Sequence, residues 1–173
     1  MSSPLKISLA LLLFCFNSWA IADQRQFQVE LIIFQQHAPN SEIFEQLDSE
    51  IAPVSRYAQT STGNKTLQGT YTRLKRSRAF KPFYYQSWRT SVSSGSISRP
   101  IDISAADKNL TGWIKIQRGH LIHVIADIEF SPPADGVEQL IYRLHEKRRV
   151  LLNEVHYLDH PLFGAIVKVS PLN

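Results

Sequence analysis

Two runs of strand-forming residues, 111–117 and 120–130, stand on either side of Arg118-Gly119, and no other feature of the chain restricts its fold so strongly. Both runs are rich in isoleucine, with Trp113, Val124 and Phe130 among them, and a short turn between two such runs forces an antiparallel pair. A lone hairpin is not stable in water, so the remaining chain must supply strands or helices to cover it. Residues 27–34 alternate apolar and polar and then become wholly apolar, as a strand does when it leaves an exposed margin for a sheet centre. Residues 81–90 form an aromatic-rich strand, with Pro82 suited to an edge or to the first strand position. Residues 139–145 alternate again and lead into the basic cluster Lys147, Arg148 and Arg149, and 165–169 make a closing apolar strand.

Helical spacing is clearest where Leu67, Tyr71 and Leu74 fall on one face, with Arg73, Lys75 and Arg76 around the rest. That predicts an amphipathic helix over 66–78 with a basic outer surface. A second, short helix is expected near Ile43, Phe44 and Leu47, capped by Asn40 or Ser41 and ended by Pro53. The polar stretch 55–69, the Ser/Gly run 91–98 and the Pro/Gly turn 131–136 read as connections. The fold class is therefore α+β: a mostly antiparallel sheet of about six strands with one or two amphipathic helices.

Of the 173 residues, 1–22 read as a secretory signal peptide. Lys6 precedes an apolar run, and Ala20-Ile21-Ala22 is a small-x-small cleavage site. The run is shorter than the roughly 20 residues a bilayer span needs, and no later segment is apolar enough for one. Residues 23–173 are then a single exported domain, expected in the periplasm. Cys15, the one cysteine, lies inside the apolar run, so cleavage leaves no thiol for a disulfide, a nucleophile or a thiolate metal site. Removing 1–22 takes Lys+Arg from 19 to 18 against 15 Asp+Glu, a formal +3. Such a balance suits an anionic polymer, a membrane surface or an acidic partner, and selects none of them. Nucleic acid is not an expected partner of an exported chain.

Functional atoms are densest near the C-terminus. Arg148 and Arg149 precede Asn153, Glu154, His156, Tyr157, Asp159 and His160, and Pro161 and Gly164 bend the chain before the last strand. Pro161 pushes His160 away from helical backbone, and Gly164 is placed to supply a positive φ. Glu154, His156, Asp159 and His160 are competent zinc ligands, but their order departs from the His-x-His-x-Asp-His run of metallo-β-lactamase-type hydrolases. On extended backbone Glu154 and His156 share a face and Asp159 faces away. No metal and no cofactor are expected, and capping of turns is the ordinary role for these groups. Glu154 with Arg149 makes a more ordinary ion pair than Glu154 with Asp159 makes a catalytic one. No serine lies in a Gly-x-Ser-x-Gly elbow. Catalysis is thus not expected. Binding needs less: Arg89, Arg118, Arg148 and Arg149 suit carboxylates, and Trp88 and Trp113, with Tyr84, Tyr85 and Tyr157, would offer stacking faces. The expected ligand-binding set is Arg148, Arg149, Asn153, Glu154, His156, Tyr157, Asp159 and His160.

The run from Glu154 to Gly164, preceded by Arg148-Arg149, resembles the C-terminal signature of the CsiV family of gammaproteobacterial periplasmic proteins. The runs at 29–34, 82–88 and 112–127 resemble its other landmarks. Membership would imply a peptidoglycan-binding protein that works with a lipoprotein activator of penicillin-binding proteins. The chain departs from the family pattern in having tyrosines at Tyr84 and Tyr85, where a histidine is usual, and Arg89-Thr90 after Trp88, where a glutamine is usual. That departure counts against a ligand role for this segment. Two other classes stand beside the binding module: a protein-protein adaptor without murein specificity, and a metal-dependent murein hydrolase using the Glu154 to His160 cluster. A purely structural role, in which that cluster locks the last strand to the sheet, is the bland alternative.

Overall fold

A computed structural model describes residues 23–37, 51–132 and 140–172. The strands are β1 (Gln24–Gln36), β2 (Ser61–Thr62), β3 (Phe80–Ser93), β4 (Ser96–Ile97), β5 (Ile101–Asp102), β6 (Leu110–Arg118), β7 (Ile122–Phe130), β8 (Tyr142–Val150), β9 (Val155–Asp159) and β10 (Phe163–Leu172). One α-helix, α1 (Gln68–Arg76), lies between β2 and β3. The strands make two antiparallel sheets, ordered β2-β3-β1-β10-β9 and β4-β6-β7-β8, with β5 also on β6. Six of them are long, and the strands beyond that expected number are short pieces that extend sheet edges. The expected helix near Ile43, the signal peptide and most of the 131–136 turn lie outside the described residues.

The core is the space between the sheets. Phe27, Val29, Leu31 and Ile33 of β1 face Ile114 and Ile116 of β6 and Val124, Ala126 and Ile128 of β7, all fully buried. β1 sits centrally in its sheet, so its other face is buried too, and residues 27–34 lose both faces to packing. Ile32 on that second face meets Leu67, Tyr71 and Leu74, the stripe that the helical spacing predicts.

Glu30 explains where α1 docks. It stands on the helix-facing side of β1, 1% exposed, and one carboxylate oxygen accepts the Leu67 backbone N–H at 3.0 Å while the Tyr85 hydroxyl donates to the same oxygen at 2.8 Å. Thr66 and Gln28 donate to the other oxygen. The helix has no acid in its first turn and three bases in its last, so a carboxylate from the sheet supplies the anion its N-terminus favours. Burial pushes the Glu30 carboxyl up, but the donors from Thr66, Leu67 and Tyr85 outweigh it and hold the group below its ordinary value of 4.5.

The β6–β7 hairpin turns on Gly119, His120 and Leu121, one residue later than Arg118-Gly119 suggests, because Arg118 still pairs with Ile122. The Ser/Gly run is also more ordered than a loop. β3 continues to Ser93, Gly95 takes φ +70°, and β4 carries the chain into the second sheet. β8 runs straight through the basic cluster to Val150, since lysines and arginines are tolerated on an edge strand with one side in water. The Arg143 guanidinium grips the buried Asp127 carboxylate at 2.7 and 2.8 Å and ties β8 to β7.

Candidate functional site

Extended backbone sends successive side chains to opposite faces, and this disperses the C-terminal cluster. Leu144 and Val150 of β8 face the core, so Arg148 shares their side, where it pairs with Glu146 at 2.6 Å. Arg149 points to the opposite face, exposed. The two arginines therefore do not form one clamp, and Glu154 does not pair with Arg149 as the sequence suggests: among the described residues neither has an ion-pair partner. Asn153 adopts φ +66° in the tight turn into β9 and donates its backbone N–H to Val169.

On β9 the same alternation applies. Leu158 is buried in the core, and His156, on its side, accepts the Leu151 N–H at 2.9 Å. Tyr157 and Asp159 lie on the other face, where the Tyr157 hydroxyl donates to Asp159 at 2.7 Å and accepts from Gln36 at 3.1 Å. Burial and the Asp159 carboxylate both push the Tyr157 phenol up. The Tyr157 ring stacks on Phe34, centroids 5.9 Å apart. His160 accepts the Leu162 N–H and packs on Phe163 at 4.8 Å, and burial pulls its imidazole below the ordinary value of 6.5. Gly164 does not supply the positive φ expected of it. It is a strand residue whose missing side chain makes room for Tyr157.

Glu154 and Asp159 stand five positions apart on extended chain, about 16 Å, and on opposite faces. Carboxylate pairs that cleave glycosides sit roughly 5–9.5 Å apart. Among the described residues no three or more histidine, cysteine or acidic side chains converge as a metal cluster requires. The expected stacking faces are also largely spent. Tyr84, Tyr85 and Trp113 are buried, the Lys115 ammonium lies 4.0 Å from the Trp113 ring centre, and Trp88 packs against the core. Only Tyr157 among these rings is exposed, at 39%.

A concave site lies elsewhere, at the end of the first sheet where β1 begins and β3 finishes. Residues 58–61 run beside β3 there: Ser61 pairs with Arg89, and the Ala58 N–H donates to the Pro100 carbonyl at 2.7 Å. The cleft they close holds about 520 Å³, with Gln24, Gln26, Gln59, Ser61, Arg89 and Arg99 on its walls. Its described lining contains no carboxylate and no aromatic ring. Arg89 and Arg99 are both exposed, and neither guanidinium has a hydrogen-bond or ion-pair partner among the described residues. Two uncompensated cations in a polar concavity make a ready receptor for anions. In the sequence Arg89 is one of four arginines suited to carboxylates, with the departure of its segment from the family pattern counting against it, and Arg99 shows only as part of a chain-breaking Arg-Pro pair. The signal is tertiary, because the polar stretch 55–69 becomes a cleft wall only once it lies along β3.

A family model described as "Peptidoglycan-binding protein, CsiV" matches residues 55–172. The chain belongs to the CsiV family. The match covers the 58–61 wall of the cleft, both cleft arginines and the whole C-terminal hairpin, while β1, with Gln24 and Gln26 of the cleft, lies outside it. Neither the comparison with curated proteins nor that with solved structures gave a match.

Proposed function

We propose that this CsiV-family protein is a non-catalytic periplasmic module that holds peptidoglycan in the cleft beside β3 and supports synthesis by penicillin-binding proteins through a lipoprotein activator. The observation that carries the reading is the pair of unpartnered guanidiniums, Arg89 and Arg99, in a 520 Å³ polar cleft. Family membership supports the polymer as ligand. The leader-like sequence of 1–22 supports export, and the C-terminal signature supports the link to an activator. The separation of Glu154 and Asp159, and the engagement of His156 and His160 with backbone N–H groups, support a non-catalytic reading.

In this reading the C-terminal segment is scaffold. Most of its polar side chains are spent on turns and on one another, and among the described residues only the side chains of Arg149, Asn153 and Glu154 lack a partner among those singled out. Co-sedimentation of residues 23–173 with purified sacculi, across a salt series and with the supernatant assayed for soluble fragments, tests the proposal. Retention at physiological salt without fragments is expected. Release of muropeptides would establish a hydrolase, and a failure to sediment at any salt would leave an adaptor.

A further inference from the structure

We infer that the cleft beside β3 reads carboxylates of the peptidoglycan stem peptide and not the glycan strand, an inference that rests on the peptidoglycan reading above. Carbohydrate sites present flat rings to sugar faces, and the described lining here has none. It has glutamine amides from Gln24, Gln26 and Gln59, hydroxyls from Thr60, Ser61 and Ser91, and two arginines. Amides and hydroxyls satisfy peptide N–H and C=O groups, and guanidiniums take carboxylates in paired hydrogen bonds. The ligand class that matches is a peptide bearing two carboxylates.

Spacing agrees with this class. Arg89 stands beside Ser61 at one end of the 58–61 segment, and Arg99 adjoins Pro100, whose carbonyl takes the Ala58 N–H at the other. Three residues of extended chain reach at most about 11 Å. Both guanidiniums can therefore engage carboxylates on neighbouring residues of one short peptide. A γ-glutamyl linkage leaves the glutamate α-carboxylate free beside the carboxylate of the diamino acid that follows, so the stem peptide carries such a pair. A neutral sugar polymer would leave both arginines without a counter-charge.

Titration calorimetry with the tripeptide L-alanyl-γ-D-glutamyl-meso-diaminopimelate, the same peptide with its glutamate α-carboxylate amidated, and peptide-free glycan strands whose lactyl carboxylates are capped as amides tests the inference. The tripeptide is expected to bind and to displace the protein from sacculi, while amidation weakens binding at least about tenfold. Arg89→Gln with Arg99→Gln should remove tripeptide binding at an unchanged melting temperature, because neither side chain has a partner among the described residues. Glycan strands binding as well as whole sacculi, or a double variant that binds the tripeptide normally, would overturn it. Sacculus binding that the tripeptide does not compete would overturn this inference and leave the peptidoglycan reading standing. Sacculi not bound at all would overturn both.

Discussion

The Tyr157 ring lies directly over Gly164. A methyl group added at position 164 would stand 2.5 Å from Tyr157 Cε2 and 2.8 Å from Phe34 Cζ, closer than any real contact. Gly164 has no positive φ, so the constraint is one of space alone. Because Phe34 belongs to β1, Gly164 to β10 and Tyr157 to β9, this one contact registers three strands of the first sheet. Gly164→Ala should cost about 1–3 kcal/mol, the usual range for overpacking, read as a lower urea midpoint. An unchanged midpoint would mean that Tyr157 moves aside freely and that the stack on Phe34 contributes nothing.

Asp159 has its partner on the same strand. With the Tyr157 hydroxyl donating to it at 2.7 Å, Asp159→Ala should lower stability by about 1 kcal/mol, a few degrees of melting temperature. Sacculus binding per folded molecule should not change. Loss of binding at full stability would restore the C-terminal hairpin as the ligand site.

Glu30 contributes to stability against acid. Its folded carboxyl lies below the ordinary 4.5, so the native state binds its proton less readily than the unfolded chain does. The contribution is fully present above that ordinary value and is lost as pH falls from there through the folded value. His160, held below 6.5 by burial, gives the same sign at higher pH: stability declines as pH falls from about 6.5, as the unfolded chain takes up a proton that the buried ring resists. Urea titrations across pH 3–8 should show both slopes. Glu30→Gln should flatten the lower one and His160→Gln the upper one, and a slope that survives its own variant would refute that assignment.

Much of the fold is legible from pattern alone. β1 announces itself because both its faces are buried, α1 because Leu67, Tyr71 and Leu74 share a face, and the β6–β7 pair because the turn between its strands is short. The division into two sheets is not legible, since β3 alternates identically whether its continuation beyond Gly95 pairs within one sheet or crosses to another. Nor is the docking of α1 on Glu30, whose acid looks like the exposed member of an alternating strand until Thr66 and Leu67 close over it. The arrangement of the C-terminal cluster is hidden for a related reason. Density along the chain is not convergence in space when the chain is extended, and Arg148 and Arg149 part company because they are adjacent. The cleft arginines, ten positions apart in the chain, come to line one cleft together with the Ala58 to Ser61 segment.

Binding of peptidoglycan in the cleft beside β3 is tested by comparing two double variants in one sacculus co-sedimentation experiment at physiological salt, each first shown to melt as the parent does. Arg89→Gln with Arg99→Gln should release the protein from sacculi, lowering the bound fraction at least about tenfold at sub-saturating polymer. Arg148→Ala with Arg149→Ala should stay bound and lose only the excess retention seen at low salt. The opposite pattern, with the cleft variant retained and the hairpin variant released, would contradict the account and move the ligand site to the C-terminal hairpin.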